Sequence, residues 1–445
     1  MTVPNRPTES AAEKLFLEQA RAYFQDMRTV AKNAPDGQVI NLAEEFAVKC
    51  GRELVRKSLE AVLQEQTDEY EKKKETTICP KCKKKKRNRG RRNKKIVSAT
   101  GKIEIVRQYA ECLPCRQADC PADSRLGLEA KYTVGVRRLA VLAGASWSFD
   151  KAAEHLEEFC GIKLSDNTIR ELCQREAVPM GRWQNQSPKA NEEFVQAVGD
   201  REFTCDGTCV NTDDGWREMR VGIFSVRERG PGVTPDLWDD RKLPKPHVSV
   251  AFAGIENKEQ FRRHWDVRAK QLCIDKKELS VLADGASWIW DSVSLEFGKV
   301  HECLDVYHAL EHLSATGKVL YGDETKEYEK WREETTLELM WGGWGLIEKR
   351  LDGLDGEART VTEQESLRRL RGYLGRHSGR LTYRDRLLEG RSIGSGQVEG
   401  ACKNLIGRRL KQTAAKWRVR RVNRMATLCA VLYSNQWNLY WNTAV

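Results

Sequence analysis

The sequence is poor in histidine and proline and has no long apolar run. Seven histidines in 445 residues leave few candidates for imidazole-ligated metal chemistry. No window approaches the ~18 apolar residues of a membrane-spanning helix; the nearest stretch, 139–147, is far too short. The N-terminus lacks a basic-then-apolar signal pattern, which argues against export. Fourteen cysteines are diluted over the chain and form no small disulfide scaffold, so a reducing cytoplasm is the expected compartment. Charge of one sign is missing too: no Asp or Glu occurs after Glu399.

What is present is unevenly placed charge. Lysine and arginine number 76 against 65 acids, a formal net charge of +11. Between Lys72 and Lys102 stand fifteen basic residues and one acid, and between Lys403 and Arg424 nine basic residues and none. Without those runs the rest carries −12, an acidic body with two basic features. The length suggests two to four domains, and 40% hydrophobic with 32% charged residues describes a soluble globular protein. A basic run alone is as often a solvated tail as a nucleic-acid surface, but both of these adjoin ordered motifs.

Residues 1–70 carry apolar positions at helical spacing, Leu15, Phe16, Ala20, Phe24 and Met27, then Leu42, Phe46, Cys50, Leu54, Leu59 and Leu63. They read as an α-hairpin for packing or self-association. Within 72–125, Cys79-Pro-Lys-Cys82 and Cys112-Leu-Pro-Cys115 are paired C-x-x-C knuckles, separated by twenty-nine residues. Each knuckle can aim two sulfurs at one ion, so Cys79, Cys82, Cys112 and Cys115 suit a structural Zn²⁺. Apolar clusters on either side of Gly101 predict the strands of a zinc ribbon, and Cys120 is close enough to substitute for a ligand. The zinc would hold a basic loop, with Lys83, Lys84, Lys85, Arg91 and Arg92 as candidate DNA contacts.

Residues 130–180 contain a helix-turn-helix pattern. Ala152, Ala153, Leu156 and Phe159 line one helix, Gly161 breaks it, and Ser165 or Asp166 can cap a second. Asn167, Thr168 and Arg170 would begin a recognition helix. Two helices joined by glycine are also common in folds that bind no DNA.

From 195 to 308 the elements alternate: three antiparallel strands, a helix, then two strands with a helix between them. That is the order of a ribonuclease H-like α/β domain with a mixed sheet. Asp206 lies inside the first strand and Asp284 ends the fourth, so they would meet on neighbouring strands. Residues 309–388 read as a mostly helical insertion, and 389–445 as a closing helix bearing Glu399 with a basic tail. Three converging carboxylates repel by about 4 kcal/mol per pair at ~4 Å and an effective dielectric of 20, so they imply bound cations. Oxygen ligands favour Mg²⁺ or Mn²⁺, as two ions, for phosphodiester displacement. Each acid also has a plain reading: Asp206-Gly207 and Asp284-Gly285 as turns, and Glu399 paired with Lys403 at i+4.

The CDGT at Asp206, LADGA at Asp284 and GSGQVEGACKNLIGRRLK at Glu399 resemble the DDE transposases of bacterial insertion sequences. The similarity is greatest to the Kra-type group, related to the mutator-like transposases, and covers nearly the whole chain. It implies Asp206, Asp284 and Glu399 as catalytic and Mg²⁺-binding residues. It also implies an Asp-x-x-His signature near the site, matched by Asp305 and His308, whose plain reading is a helix cap with its polar partner. Trp341 and Trp344 could stack on an unpaired base or belong to the core. Lys403, Arg408, Arg409 and Lys411 would track phosphates. The expected partner is double-stranded DNA, the element's terminal inverted repeats and its target, bound by a homodimer or larger synaptic assembly. The other readings are a structure-specific nuclease on the same fold and a zinc-dependent DNA-binding regulator whose acids are structural.

Overall fold

The computed structural model describes residues 10–73, 78–128, 130–354 and 359–443; positions 74–77 of the first basic run lie outside them. The chain divides into two compact units, Met1–Gly144 with Phe149–Leu172, and Ala145–Ser148 with Cys173–Val445.

The first unit opens with α1 (Ala11–Asn33), which Ser10 caps by accepting from the Glu13 N–H. It packs along α2 (Val39–Lys73). Strands β1 (Arg87–Ser98) and β2 (Gly101–Glu111) form a hairpin, with the two residues of β3 (Ala118–Asp119) added to β2. Their core is small: Ile96, Ile103 and Ile105 with Leu128, packed against Leu59 and Leu63 of α2. Before the short β3 pairing at Ala110 and Glu111, the outer edge of β2 is closed by side chains of α2. Glu60 accepts from the Glu104 N–H, Gln64 from Val106 and Glu71 from Gln108. Alternate strand residues rise by about 6.7 Å and residues four apart on a helix by about 6 Å, which matches Glu60 and Gln64 to Glu104 and Val106; Glu71 lies seven residues beyond Gln64 and closes the last of the three.

Helices α3 (Pro121–Leu126), α4 (Val134–Ser146), α5 (Phe149–Cys160) and α6 (Asp166–Gln186) follow, α4 belonging to this unit as far as Gly144 and α6 as far as Leu172. Gly161 ends α5 at φ +65°, a left-handed conformation suited to glycine. The expected helix pair is present, but Phe159 is exposed. Ala152, Leu156, Ile169 and Leu172 are buried as expected.

In the second unit, α7 (Pro188–Gln196) leads into β4 (Asp200–Thr212) and β5 (Gly215–Arg227), joined by the two-residue turn Asp213-Asp214. Then come β6 (Val248–Gly254), α8 (Lys258–Gln271), β7 (Ser280–Ala283), α9 (Ser287–Glu296) and β8 (His301–Leu304). The sheet runs β6-β5-β4-β7-β8, antiparallel across β6, β5 and β4 and parallel from β4 to β8. The fold is thus mixed α/β with a mixed sheet. Its core centres on Phe203, Phe224, Trp265 and Phe297, with ring centroids 4.6–6.2 Å apart where they meet. Four helices come next, α10 (Val306–Tyr321), α11 (Lys326–Leu354), α12 (Val361–Arg376) and α13 (Tyr383–Leu388), with α11 kinked at Gly343. The last stretch is not one helix. It comprises α14 (Gly396–Ala401), a π-helical turn over Cys402–Gly407, α15 (Arg408–Leu410), α16 (Val419–Tyr433) and α17 (Trp437–Thr443). Among the described residues no helix is long and apolar enough to cross a membrane.

Candidate functional site

The cysteine knuckles are built twice on one backbone plan. In each, the N–H of the first cysteine donates to the carbonyl five residues on, Cys79 to Lys84 at 2.9 Å and Cys112 to Gln117 at 2.8 Å. In each, the residue after the second cysteine is left-handed, Lys83 at φ 59° and Arg116 at φ 56°. The result is a four-sulfur cluster whose Sγ atoms lie within 4.8 Å of one another. The pairs Cys79–Cys115, Cys82–Cys112 and Cys82–Cys115 are 3.4, 3.3 and 3.7 Å apart. Zn–S bonds of ~2.3 Å at tetrahedral angles require S···S near ~3.8 Å, so the cluster could hold a zinc ion. The backbone N–H of Cys82, and more weakly that of Lys81, lowers the Cys79 thiol to about 6, against its burial. Cys120 is not one of the cluster; it is buried beside Arg107 and Asp123.

The basic segment expected as a loop is largely strand, because β1 begins at Arg87. Lys83, Lys84, Lys85 and Arg92 are exposed, with Arg92 stacked 3.4 Å from the Tyr109 ring centroid. Arg91 is engaged by Asp68 at 2.5 Å and Glu71 at 3.4 Å, which neutralises part of its charge. At the start of α6, Ser165 Oγ accepts from the Thr168 N–H, Asn167 is exposed, and Thr168 and Arg170 are half-buried.

In the second unit, register puts two acids together. The parallel ladder pairs Glu202 with Ser280 and Thr204 with Leu282, an offset of 78 positions. Asp206 and Asp284 differ by the same 78, so extending the ladder by two residues sets them side by side. Asp206 Oδ1 accepts from the Gly207 N–H at 2.6 Å, and the Cys402 thiol lies 3.8 Å from Oδ2. Burial, and then the charge of Asp284, hold the Asp206 carboxyl above its usual range. Asp284 Oδ1 accepts from the Ala286 N–H, and its carbonyl accepts from Trp290 Nε1 at 2.7 Å. A side chain at position 285 would collide with the Tyr373 ring, so glycine there lets α12 close over Asp284.

Helix α14 lies against β4 and β5 and is fixed by Gln397, which accepts from Ser225 Oγ at 2.8 Å and donates to Ser249 Oγ at 2.9 Å. Glu399 stands one turn before Cys402, on the side of the helix nearest Asp206. Its carboxylate does not join the other two. It pairs with Lys403 Nζ at 2.6 Å, with both side chains mostly exposed. Among the described residues only the four cysteines bring three or more potential ligand atoms within 4.8 Å, so the expected three-carboxylate cluster is not assembled. The i+4 cation is the nearer partner, and gathering a third carboxylate costs repulsion.

Asp305 caps α10, accepting from the His308 N–H at 3.0 Å and from its Nδ1 at 3.2 Å. Its other oxygen accepts from the Ser395 N–H at 2.5 Å and Oγ at 2.7 Å, which ties the start of α14 to the end of β8. Burial opposes ionisation of Asp305, but hydrogen bonds from His308 and Ser395 outweigh it and hold the carboxyl below its usual range. The Asp305 bond in turn raises His308 to about 9.

Of the basic residues after Glu399, Lys403 and Arg408 are exposed, and Lys411 reaches Thr208 Oγ1 on β4. Arg409 was expected on the phosphate-facing surface. It is 4% exposed, its guanidinium 5.2 Å from the Trp417 ring, because the helix turns that side inward. Trp344 packs against the core, and Trp341 is exposed with Arg384 over its ring. Ser395, Gln397, Cys402 and Tyr373 were not legible as site residues. Only the glycine after Asp284 hinted that something would approach there. No family model and no curated protein matches the chain.

Proposed function

We propose that the protein is a DDE-type DNA transposase with a ribonuclease H-like core. It would bind the terminal inverted repeats of its element through the cysteine-knuckle unit and the helix-turn-helix, then cleave and join strands at Asp206, Asp284 and Glu399. The observation that carries this reading is the β4–β7 register, which aligns Asp206 with Asp284 beneath the helix of Glu399. The strand order β6-β5-β4-β7-β8 supports it, as does the helical segment separating Asp284 from Glu399.

The donor set is all oxygen, and burial, with a smaller contribution from the charge of Asp284, raises the Asp206 carboxyl, a cost that a hard cation would relieve. Asp206 and Asp284 would hold Mg²⁺ or Mn²⁺, and Glu399 would join them on leaving Lys403. When bound, the cations neutralise charge on the scissile phosphate and activate the attacking hydroxyl or water. The side chains in place each have a task. Gln397 and Asp305 set the height of α14 over the sheet, Lys411 offers charge beside β4, and His308⁺ offsets the carboxylates.

The test is incubation of the protein with its own element ends and Mg²⁺, with nicks and joined products mapped. Asp284→Ala is expected to reduce both to background while duplex binding is kept; cleavage retained in that variant would overturn the proposal. The Glu399–Lys403 pair favours a second reading, a DNA-binding regulator with structural acids. Such a protein binds DNA and shows no divalent-metal chemistry at any concentration. A nuclease on the same fold would cut branched DNA without strand transfer.

A further inference from the structure

Beside the loop that leads into α14 lies a cavity of about 330 Å³ to which the chemistry above gives no task. Its walls include Arg227, Arg241, Trp238, Tyr307, Ser392 and Gln397, with Gly394 and Gly396 on the loop side and Asp239 at the rim. We infer that it is a binding site for a single unstacked nucleotide, with the phosphate on Arg241 and the base against Trp238 and Tyr307. The inference deepens the nucleic-acid reading above and rests on it for its place in the reaction.

Arg227, Arg241 and Arg386 lie close enough to repel one another. Among the described residues, only Arg227 of the three has an ion pair, with Glu202 at 3.0 Å. Arg241 makes one hydrogen bond, from Nη1 to the Arg391 carbonyl at 2.8 Å, and among the described residues no ion pair. Arg386 donates Nε to the Ser392 carbonyl at 2.6 Å, while its buried Nη2 has no hydrogen-bond partner among the described residues. Burial lowers Arg241, yet a guanidinium stays charged at any ordinary pH. Arg227 and Arg241 line the cavity and Arg386 stands behind them; set against Glu202 and Asp239, the three leave an excess of one positive charge, which an anion would complete.

Shape and sidedness narrow the ligand. Trp238 and Tyr307 face each other at 6.3 Å between centroids, tilted by 59°, and Tyr307 is mostly exposed. An exposed tyrosine ring beside a half-buried tryptophan held against the core, at the mouth of a polar cavity, suits the π-face of a base. The same two rings and Asp239 also border a larger cleft whose other walls bring Asp236, Glu311, Glu329 and Glu333 against two cations, Lys318 and Arg332, so that acids outnumber bases there. Phosphate is repelled on that side and attracted on the other, so the rings mark the boundary and fix the orientation. About 330 Å³ is near the lower limit for a small-molecule site and matches one nucleotide rather than a duplex.

The test is equilibrium dialysis of the full chain at about 0.2 M salt, which screens the exposed basic surfaces. The probes are dAMP, deoxyadenosine, inorganic phosphate and a single-stranded pentanucleotide. The wild type is expected to bind dAMP at least about tenfold more tightly than deoxyadenosine or phosphate. Arg241→Ala should weaken dAMP about tenfold or more and leave deoxyadenosine unchanged, with Arg241→Lys recovering most of the loss. Tyr307→Leu, at an exposed position that tolerates change, should weaken dAMP about three- to tenfold and leave phosphate unchanged. Pentanucleotide binding tighter than dAMP, with the same dependence on Arg241, identifies a strand as the source; no gain over dAMP identifies the free nucleotide. Equal binding of dAMP and phosphate, or indifference to both Arg241→Ala and Tyr307→Leu, overturns the site. dAMP binding without Asp284-dependent cleavage leaves the site standing and removes the transposase reading, and the reverse pattern does the opposite.

Discussion

Four sulfurs at the knuckles already lie within 4.8 Å of one another, whereas at the sheet two acids are aligned and the third is turned to a lysine. The difference follows from the ligands. Thiols are largely neutral at neutral pH and do not repel one another, so the repeated backbone plan is enough to gather them, with one, Cys79, favoured as thiolate by the backbone N–H of Cys82 while Cys112 is held up at about 12. Carboxylates are charged at neutral pH and repel, so a fold can align two of them but gains by pairing the third elsewhere. The first arrangement suits an ion that is part of the architecture. The second suits ions that arrive with a substrate whose phosphates complete their coordination.

The strongest challenge to this contrast is to remove one sulfur. Cys112→Ser is expected to reduce bound zinc from one ion per chain to none, read by a colorimetric chelator assay on the unfolded protein. Because structural zinc sites contribute on the order of 10 kcal/mol to folding in small domains, loss of the ion should also leave β1 and β2 open to limited proteolysis. Asp206→Asn should leave the zinc content unchanged. Zinc content that survives Cys112→Ser would break the comparison.

The carboxylate region has an architectural element of its own, Asp305. Asp305→Asn keeps the shape but loses the charge-assisted bonds to Ser395 and His308, and is expected to lower stability by about 2–3 kcal/mol in denaturant titration. The pH dependence sharpens the point. His308 is raised to about 9 by Asp305, so its contribution is complete below the unfolded value near 6.5 and is lost as pH rises through about 9. Nearly half of the imidazole is in solvent, which limits the effect to about 1 kcal/mol. Wild type should lose that stability between those values and Asp305→Asn should not. Identical pH profiles would mean the pair carries no charge.

Much of this was readable from spacing. The knuckles announce themselves because four cysteines of one type stand in two identical short motifs. The strand order and the positions of Asp206 and Asp284 were legible from alternation and turn residues, since a strand's period fixes which residues share a face. What the sequence hid depends on contacts between distant segments. Arg409 has the same local signature as Arg408, and only the helix's orientation buries it. The π-helical turn at Cys402–Gly407 leaves no compositional trace, yet it separates Glu399 from the basic residues beyond it. Arg241 sits in a segment without periodicity, and its missing counter-charge appears only once the surrounding chain is in place.

The smallest expected effect bears most directly on the unassembled site. The Glu399–Lys403 pair is exposed and is worth only about 0.2–1 kcal/mol. Lys403→Ala frees the carboxylate to turn toward Asp206, so binding of Mn²⁺ to the DNA-free protein, followed by water-proton relaxation, should tighten by about 1.4- to 5-fold. Glu399→Gln should weaken it, and adding Lys403→Ala to Glu399→Gln should produce no further gain, because the freed group is then absent. Tightening that persists in the double variant would assign the effect to the lost lysine charge alone. Glu399 would then be a surface acid, and the sheet site would rest on Asp206 and Asp284 without it.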